Sequence, residues 1–277
     1  MNEYELKLLE KSREYQVVKS NQITLGSRYN YSADEQKTIA YICSMINPTS
    51  ENIEREYNFN IRNFCRTCGI DYDNGKAYDY IRNILKGLVQ KVMILELPDG
   101  TETTVNWVQK VWCNKGSGKV KVRLDEDMIP YLFELKCRYM AYKLKDILCM
   151  KSQFSIRLHE ILKAYHDMKI GQTDHRSFGE KAMLPKIVSW TVDVDELKKK
   201  LMVEDVQSYK HFGLFRTKVL EPAQKEINEF TEINVFFEPI HKGRKVVQVK
   251  FGIVMKDTIE RFSSEAKADE ILGLPGK

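Results

Sequence analysis

Lys210, His211, Arg216, Thr217 and Lys218 crowd the first part of one apolar-patterned stretch, Tyr209 to Phe230. These are side chains that meet nucleic acid. A guanidinium can grip O6 and N7 of a guanine with two parallel donors. Ammonium groups neutralise phosphate, and hydroxyl and imidazole groups add short hydrogen bonds to base edges or backbone. Further on, His241-Lys242-Gly243-Arg244-Lys245 sets three permanent positive charges on a tight turn between two β-patterned runs, and backbone phosphate is the natural partner of such a tip. In the first half, Lys76, Tyr80, Arg82, Asn83 and Lys86 lie on the polar side of another helical stretch. That set is less basic, which points to backbone contacts or a subunit interface more than to base reading. Each set alone also fits a plain solvated surface, so the elements that carry them decide.

Those elements follow one plan that occurs twice. A short strand leads to a short helix, then a longer basic helix, then two strands joined by a basic or Gly-rich tip. The first copy runs 57–59, 61–69, 78–91, then 93–97 and 103–113; the second runs 190–192, 194–202, 209–230, then 233–238 and 245–254. This order suits a helix-turn-helix with a β-wing, in which one helix enters a groove, one braces it and the wing touches backbone. The expected fold class is α+β, two tandem winged-helix domains. The expected division is an N-terminal extension 1–14, a first domain 15–140, a second domain 141–256 and a C-terminal tail 257–277.

Further elements frame the two units. Tyr15 to Leu25 is β-branched and expected to be extended. Ser32 to Asn47 reads as a helix with Ser32 and Glu35 in a capping box. Pro98-Asp99-Gly100 is a hairpin turn, and Asn114 to Lys119 is a second tip. Asp125 to Leu135 is a short helix, Lys136 to Met150 a structured connector, Ser152 to Met168 a helix, and Ile170 to Pro185 a loop. Residues 267–277 are expected to be loose. Pro222, inside the reading helix, should kink it or split it in two.

Composition narrows the function. The 277 residues carry 44 basic and 39 acidic groups, a net charge of +5. The excess is concentrated between 145 and 256, where 20 basic residues face 15 acidic ones, whereas the last residues are acidic. The six cysteines follow no secretory signal, and no apolar run approaches the roughly 20 residues of a membrane span, so reduced thiols in a cytoplasmic protein are expected. Cys65-Arg66-Thr67-Cys68 has no second pair to complete a zinc site and is expected to be core. Lys115-Gly116-Ser117-Gly118-Lys119 departs from the P-loop pattern, with Val120 where a hydroxyl would hold magnesium. The five histidines form no His-apolar-His pair of the kind a nicking enzyme needs. No catalysis, metal or cofactor is expected.

Several segments then resemble a known family. Ser20-Asn21-Gln22 with Tyr31 to Lys37 is similar to the opening of the iteron-binding plasmid replication initiators. Ser155 to Leu162 resembles their S-x-R-L-Y-E-L-L helix, with His159 in place of Tyr. Phe215 to Ala223 with Glu226-Ile227-Asn228, and Gly243 to Val246, resemble their reading helix and wing. The resemblance covers 15–256. It implies a non-enzymatic initiator of theta-type replication whose second domain reads direct repeats in double-stranded origin DNA. It also implies a first domain that adds DNA contacts and forms a dimer, monomers that open the origin and recruit host replication proteins such as the helicase, and dimers that repress their own promoter. Carried over, Arg216 and Lys218 sit in the groove, and Arg244 and Lys245 sit on phosphate. The strands Met93–Leu97 and Val105–Trp112 are candidate dimer surfaces because their apolar side chains exceed what one small sheet face should hide. The alternative reading is a winged-helix transcriptional regulator without a replication role.

Overall fold

In the computed structural model, which describes residues 3–70, 76–173 and 187–273, the chain opens with helix α1 (Glu3–Arg13), strand β1 (Gln16–Ser20), helix α2 (Asn21–Gly26) and strand β2 (Ser27–Arg28). The segment expected to stay extended to Leu25 turns helical at Asn21, because the Ser20 hydroxyl accepts the Ile23 N–H and caps a new helix. Helix α3 (Ala33–Cys43) starts on the expected capping box. Ser32 Oγ accepts the Glu35 N–H at 3.2 Å and Glu35 Oε2 accepts the Ser32 N–H at 2.8 Å. It stops at Cys43, short of Asn47.

The first winged unit uses α3, strand β3 (Glu56–Asn60), helix α4 (Ile61–Cys68) and helix α5 (Ala77–Gln90). It then inserts the hairpin β4 (Val92–Glu96) and β5 (Glu102–Asn106) before β6 (Val108–Asn114) and β7 (Lys119–Leu124). The hairpin pairs with β2 in a sheet of its own, while β6 and β7 join β3 in the order β3-β7-β6. The wing is therefore β6–β7 with the Asn114–Lys119 tip, and the expectation that β4 and its neighbour form it is corrected. Trp107, 3% exposed, breaks the expected strand 103–113 into β5 and β6 by turning into the core. Tyr41, Phe59 and Phe64 pack edge to face and tilted at centroid distances of 4.9–5.8 Å beneath the sheet. Cys65 and Cys68 are buried on α4, where burial pushes the thiols up to about 11 and about 12.

After helix α6 (Ile129–Leu132), strand β8 (Tyr139–Lys143) pairs with β1 along its length, and helix α7 (Lys145–Leu148) follows. The boundary expected at 140/141 falls inside this paired strand. Helix α8 (Gln153–Thr173) follows and overruns the expected end at Met168. The rest of the expected loop to Pro185 lies outside the described residues apart from the end of α8. Then come strand β9 (Val188–Asp193) and helix α9 (Val194–Lys200). Helices α10 (Phe212–Phe215) and α11 (Glu221–Phe230), joined by a π-turn over Arg216–Leu220, precede strands β10 (Ile233–Lys242) and β11 (Lys245–Met255). The sheet order β9-β11-β10 repeats that of the first unit. Trp190 stacks between Tyr165 and Phe251 at 4.5 and 5.5 Å.

The expected tail is helix α12 (Thr258–Ile271), started by an Asp257–Glu260 capping box. It packs back towards the start of the chain. Arg13, 1% exposed, donates to the carbonyls of Thr67 (2.8 Å) and Arg66 (2.7 Å) at the end of α4 and of Leu272 (3.3 Å) just past α12. Lys143 bridges Glu14 and Glu265, both at 2.8 Å. The supposed extension and tail are thus parts of one body. The seam between the units runs along α8, which is buried on every side from Ser155 to Ala164. There Glu160 accepts from Lys19 (2.5 Å) and Tyr142 (2.7 Å). Burial opposes both charges of the Lys19–Glu160 pair, but mutual attraction wins, so the lysine is held up and the carboxyl down. Met93, Leu95, Val105, Trp107 and Val108 are all at most 6% exposed. Ile94, Leu97, Val111 and Trp112 of the same strands are partly exposed, so only part of the apolar surface on which a subunit interface was expected is hidden inside the chain. Among the described residues no helix is long and apolar enough to cross a membrane.

Candidate nucleic-acid interface

Helices α10 and α11 form one rod with a widened turn between them. Pro222 has no N–H to give, and in a regular helix its ring would press on the carbonyl one turn back. The chain answers with an extra residue in the turn: the Glu221 N–H reaches the Arg216 carbonyl, five residues back. The expected kink or split is therefore replaced by a π-turn, a feature frequent at functional sites. It places Arg216, Thr217 and Lys218 consecutively on the outside while Phe215, Val219 and Leu220 stay buried. Glu221 Oε1 accepts from Arg216 Nε at 2.8 Å, which leaves the outer edge of the guanidinium available as a two-donor fork. Thr217 donates its hydroxyl hydrogen to the Gly213 carbonyl at 3.0 Å. It can still accept from a ligand.

Lys210 and His211 stand just before α10, both exposed. They meet the wing across a cleft of about 830 Å³ whose rim also holds Arg244 and Lys245, with Lys198, Asp193 and Asp195 from β9 and α9. The wing tip is a two-residue turn, Lys242 facing Lys245 in register and Gly243 at φ +64°; a left-handed φ there suits glycine. His241 to Lys245 are all exposed. The structure thus brings Lys210, His211, Arg244 and Lys245 around one cleft, whereas Arg216 and Lys218 lie along the rod outside its rim and Lys242 sits on the tip. Lys198, which the sequence does not single out because the Lys198-Lys199-Lys200 run reads as a solvated helix end, lines the cleft at 8% exposure. A groove flanked by cations from a helix start and a hairpin has the form that cradles a phosphate strand.

In the first unit Lys76, Tyr80, Asn83 and Lys86 are exposed at helical spacing on α5. Arg82 is only partly exposed and leans to Asp79 at 3.9 Å. Tyr80 donates its phenol to Asp34 of α3, and burial with that carboxylate raises its pKa to about 12. It braces two helices and is not a free donor. The true wing adds Lys115 and Lys119, both exposed at its tip, residues to which the sequence reading gave no DNA role because the wing had been placed on the preceding hairpin.

Comparison with known proteins fits this geometry. The model of the first winged helix of the initiator replication proteins matches residues 16–163, and the model of their second winged helix matches residues 193–253. A replication initiation protein of Escherichia coli is 26% identical over 243 residues, 86% of this chain and 69% of the relative. The PI protein of Escherichia coli is 24% identical over 181 residues, covering 61% of this chain and 53% of its own length. The crystal structure of the Pi initiator protein in complex with iteron DNA superposes with a TM-score of 0.68 at 20% identity, covering 88% of this chain and 99% of that one. The chain belongs to the family of initiator replication proteins built from two winged helices.

Proposed function

We propose that this chain initiates theta-type plasmid replication by binding direct repeats in double-stranded origin DNA, the second winged unit reading sequence and the first gripping backbone. The observation that carries this is the repeat of one module on one seam. Both units present a helix and a basic wing, and the second holds Arg216 and Lys218 on its rod and four basic side chains around its cleft. The relatives, a replication initiation protein and an initiator in complex with iteron DNA, agree with it. The role is one of binding, with no catalysis. The further roles are recruitment of host replication proteins by monomers and self-repression by dimers through the first unit.

The test is maintenance. The gene with its flanking DNA is placed on a replicon that cannot replicate in the host. Loss of maintenance when the gene is deleted, with footprints on tandem repeats of roughly two helical turns each, is the expected result. Footprints confined to a promoter palindrome, with maintenance unaffected, would assign the chain to transcriptional control instead.

A further inference from the structure

The outward face of the sheet β3-β7-β6 is built differently from its counterpart in the second unit. The register sets Lys110 beside Arg123 and Glu56, and Trp112 beside Lys121 and Asn58, all alternating with the buried Tyr57, Val122 and Phe59. With Lys119 the three strands show four cations and one carboxylate on this face. On the matching face of β9-β11-β10 the register sets Lys250 against Glu238 and Asp193 beside Gln248, with Lys242 opposite Lys245 at the tip end and Phe236 over Gly252, so the charges there are closer to balance.

Trp112 stands at the middle of the charged face. Lys121 Nζ lies 4.4 Å, Lys110 Nζ 4.9 Å and the Arg123 guanidinium carbon 5.2 Å from its ring centroid. Trp107 and Trp190 are buried, while Trp112 is partly exposed. A shallow cleft of about 700 Å³ runs past Trp112, Lys121, Lys119 and the exposed Asn58. An indole gives a base a stacking surface, lysines give its phosphates a counter-charge, and an amide can donate to and accept from a base edge. This is the composition of sites that hold unpaired nucleotides. Paired bases cannot reach such a ring, since their faces are covered by neighbours in the stack.

We infer that the outer face of the first winged unit, centred on Trp112 with Lys110, Lys119, Lys121 and Arg123, binds single-stranded DNA by stacking bases on the indole. The face lies on the strands of the first unit, away from the α10–α11 rod and the second unit's wing tip, and shares only Lys119 with the first unit's tip, so the inference goes beyond duplex recognition and can fail without it.

The test uses the full chain and two probes: fluorescein-labelled oligo(dT) of 20 nucleotides, and a duplex carrying the repeats upstream of the gene. Anisotropy gives both affinities at one salt concentration, and tryptophan emission reports on Trp112. Trp112→Ala should weaken oligo(dT) binding about tenfold or more, from the loss of one stacked base, and abolish the emission quench. Duplex affinity should stay within about twofold. Trp112→Tyr should recover most of the single-strand affinity, and Lys121→Glu should lose it with Trp112 intact. Equal melting temperatures establish that the variants fold. If Trp112→Ala binds oligo(dT) like the parent, or loses duplex and single strand in equal measure, the inference is wrong. If duplex binding is absent in the parent while oligo(dT) binding persists, the duplex reading fails and this one stands.

Discussion

At the scale of residues, the proposed function gives Arg216 and Lys242 different kinds of contact, and their variants should separate them. Arg216 is exposed, oriented by Glu221 and carried on the outer side of the π-turn. Arg216→Ala should weaken repeat binding by about 1–3 kcal/mol and relax the preference at one base pair, read by competition among single-base variants of the repeat. Unchanged binding would move the reading surface elsewhere. Lys242, at the wing tip, should act only on phosphate. Lys242→Ala should weaken all duplexes alike and reduce the slope of log K against log salt by about 0.9. These residues were legible as candidates in the sequence because the repeated strand, helix and wing plan set guanidinium and ammonium groups on one helix and one turn, where a solvated surface alone would not single them out. What Tyr80 and Thr217 do was not legible. Tyr80 is spent on Asp34, which is remote in sequence, and Thr217 on a carbonyl of its own helix. Neither partner leaves a mark in the local pattern.

At the scale of elements, the plan of strand, helix, helix and wing was readable twice because each piece has its own period and turn chemistry. The error in the first unit arose at Trp107, a buried aromatic in a β-rich run, which reads as strand whether the strand continues or breaks. Pairing then decided that β6–β7 is the wing and β4–β5 belongs to β2, and pairing is not local information. The ends of the chain were misread for a similar reason. A polar α1 and an acidic α12 look detachable, yet Arg13 ties both to α4 by donating to the carbonyls of Thr67, Arg66 and Leu272 at helix ends. Arg13→Met keeps much of the bulk and removes those donors. It should lower stability by about 1–3 kcal/mol, the cost of leaving the one fully buried acceptor, the Thr67 carbonyl, unpaired, seen as a lower urea midpoint at unchanged m-value. A midpoint unchanged from the parent would show that α1 and α12 do not depend on this contact.

At the scale of the whole molecule, the two winged units cannot move independently without opening a seam of buried charges. Near Phe230, Thr231 and Ser264 lies Asp146, 4% exposed on α7, whose carboxylate accepts the Lys143 N–H at 3.3 Å. Burial, with the charge of Glu232 nearby, pushes Asp146 up to about 8, against the pull of Lys143 and Lys145. A carboxyl whose pKa is higher folded than unfolded holds its proton better in the native state. Its contribution to stability is full below about pH 4, the unfolded value, and is lost as pH rises through about 8. The depressed carboxyls Glu14, Glu160, Asp167 and Glu265 act the other way, gaining stability above the unfolded value. Lys256 is pulled down to about 8, chiefly by burial, and so favours the fold as pH climbs from 8 towards its ordinary value. The total profile mixes these signs, and a neutral isostere isolates one of them. Asp146→Asn keeps an oxygen for the Lys143 N–H and cannot ionise. Its unfolding free energy relative to the parent should rise steadily between pH 4 and pH 8 and level off above, measured by urea denaturation at intervals across that range. A difference that does not change with pH would mean that Asp146 ionises in the folded protein as it does in the unfolded chain, and that the seam tolerates its charge.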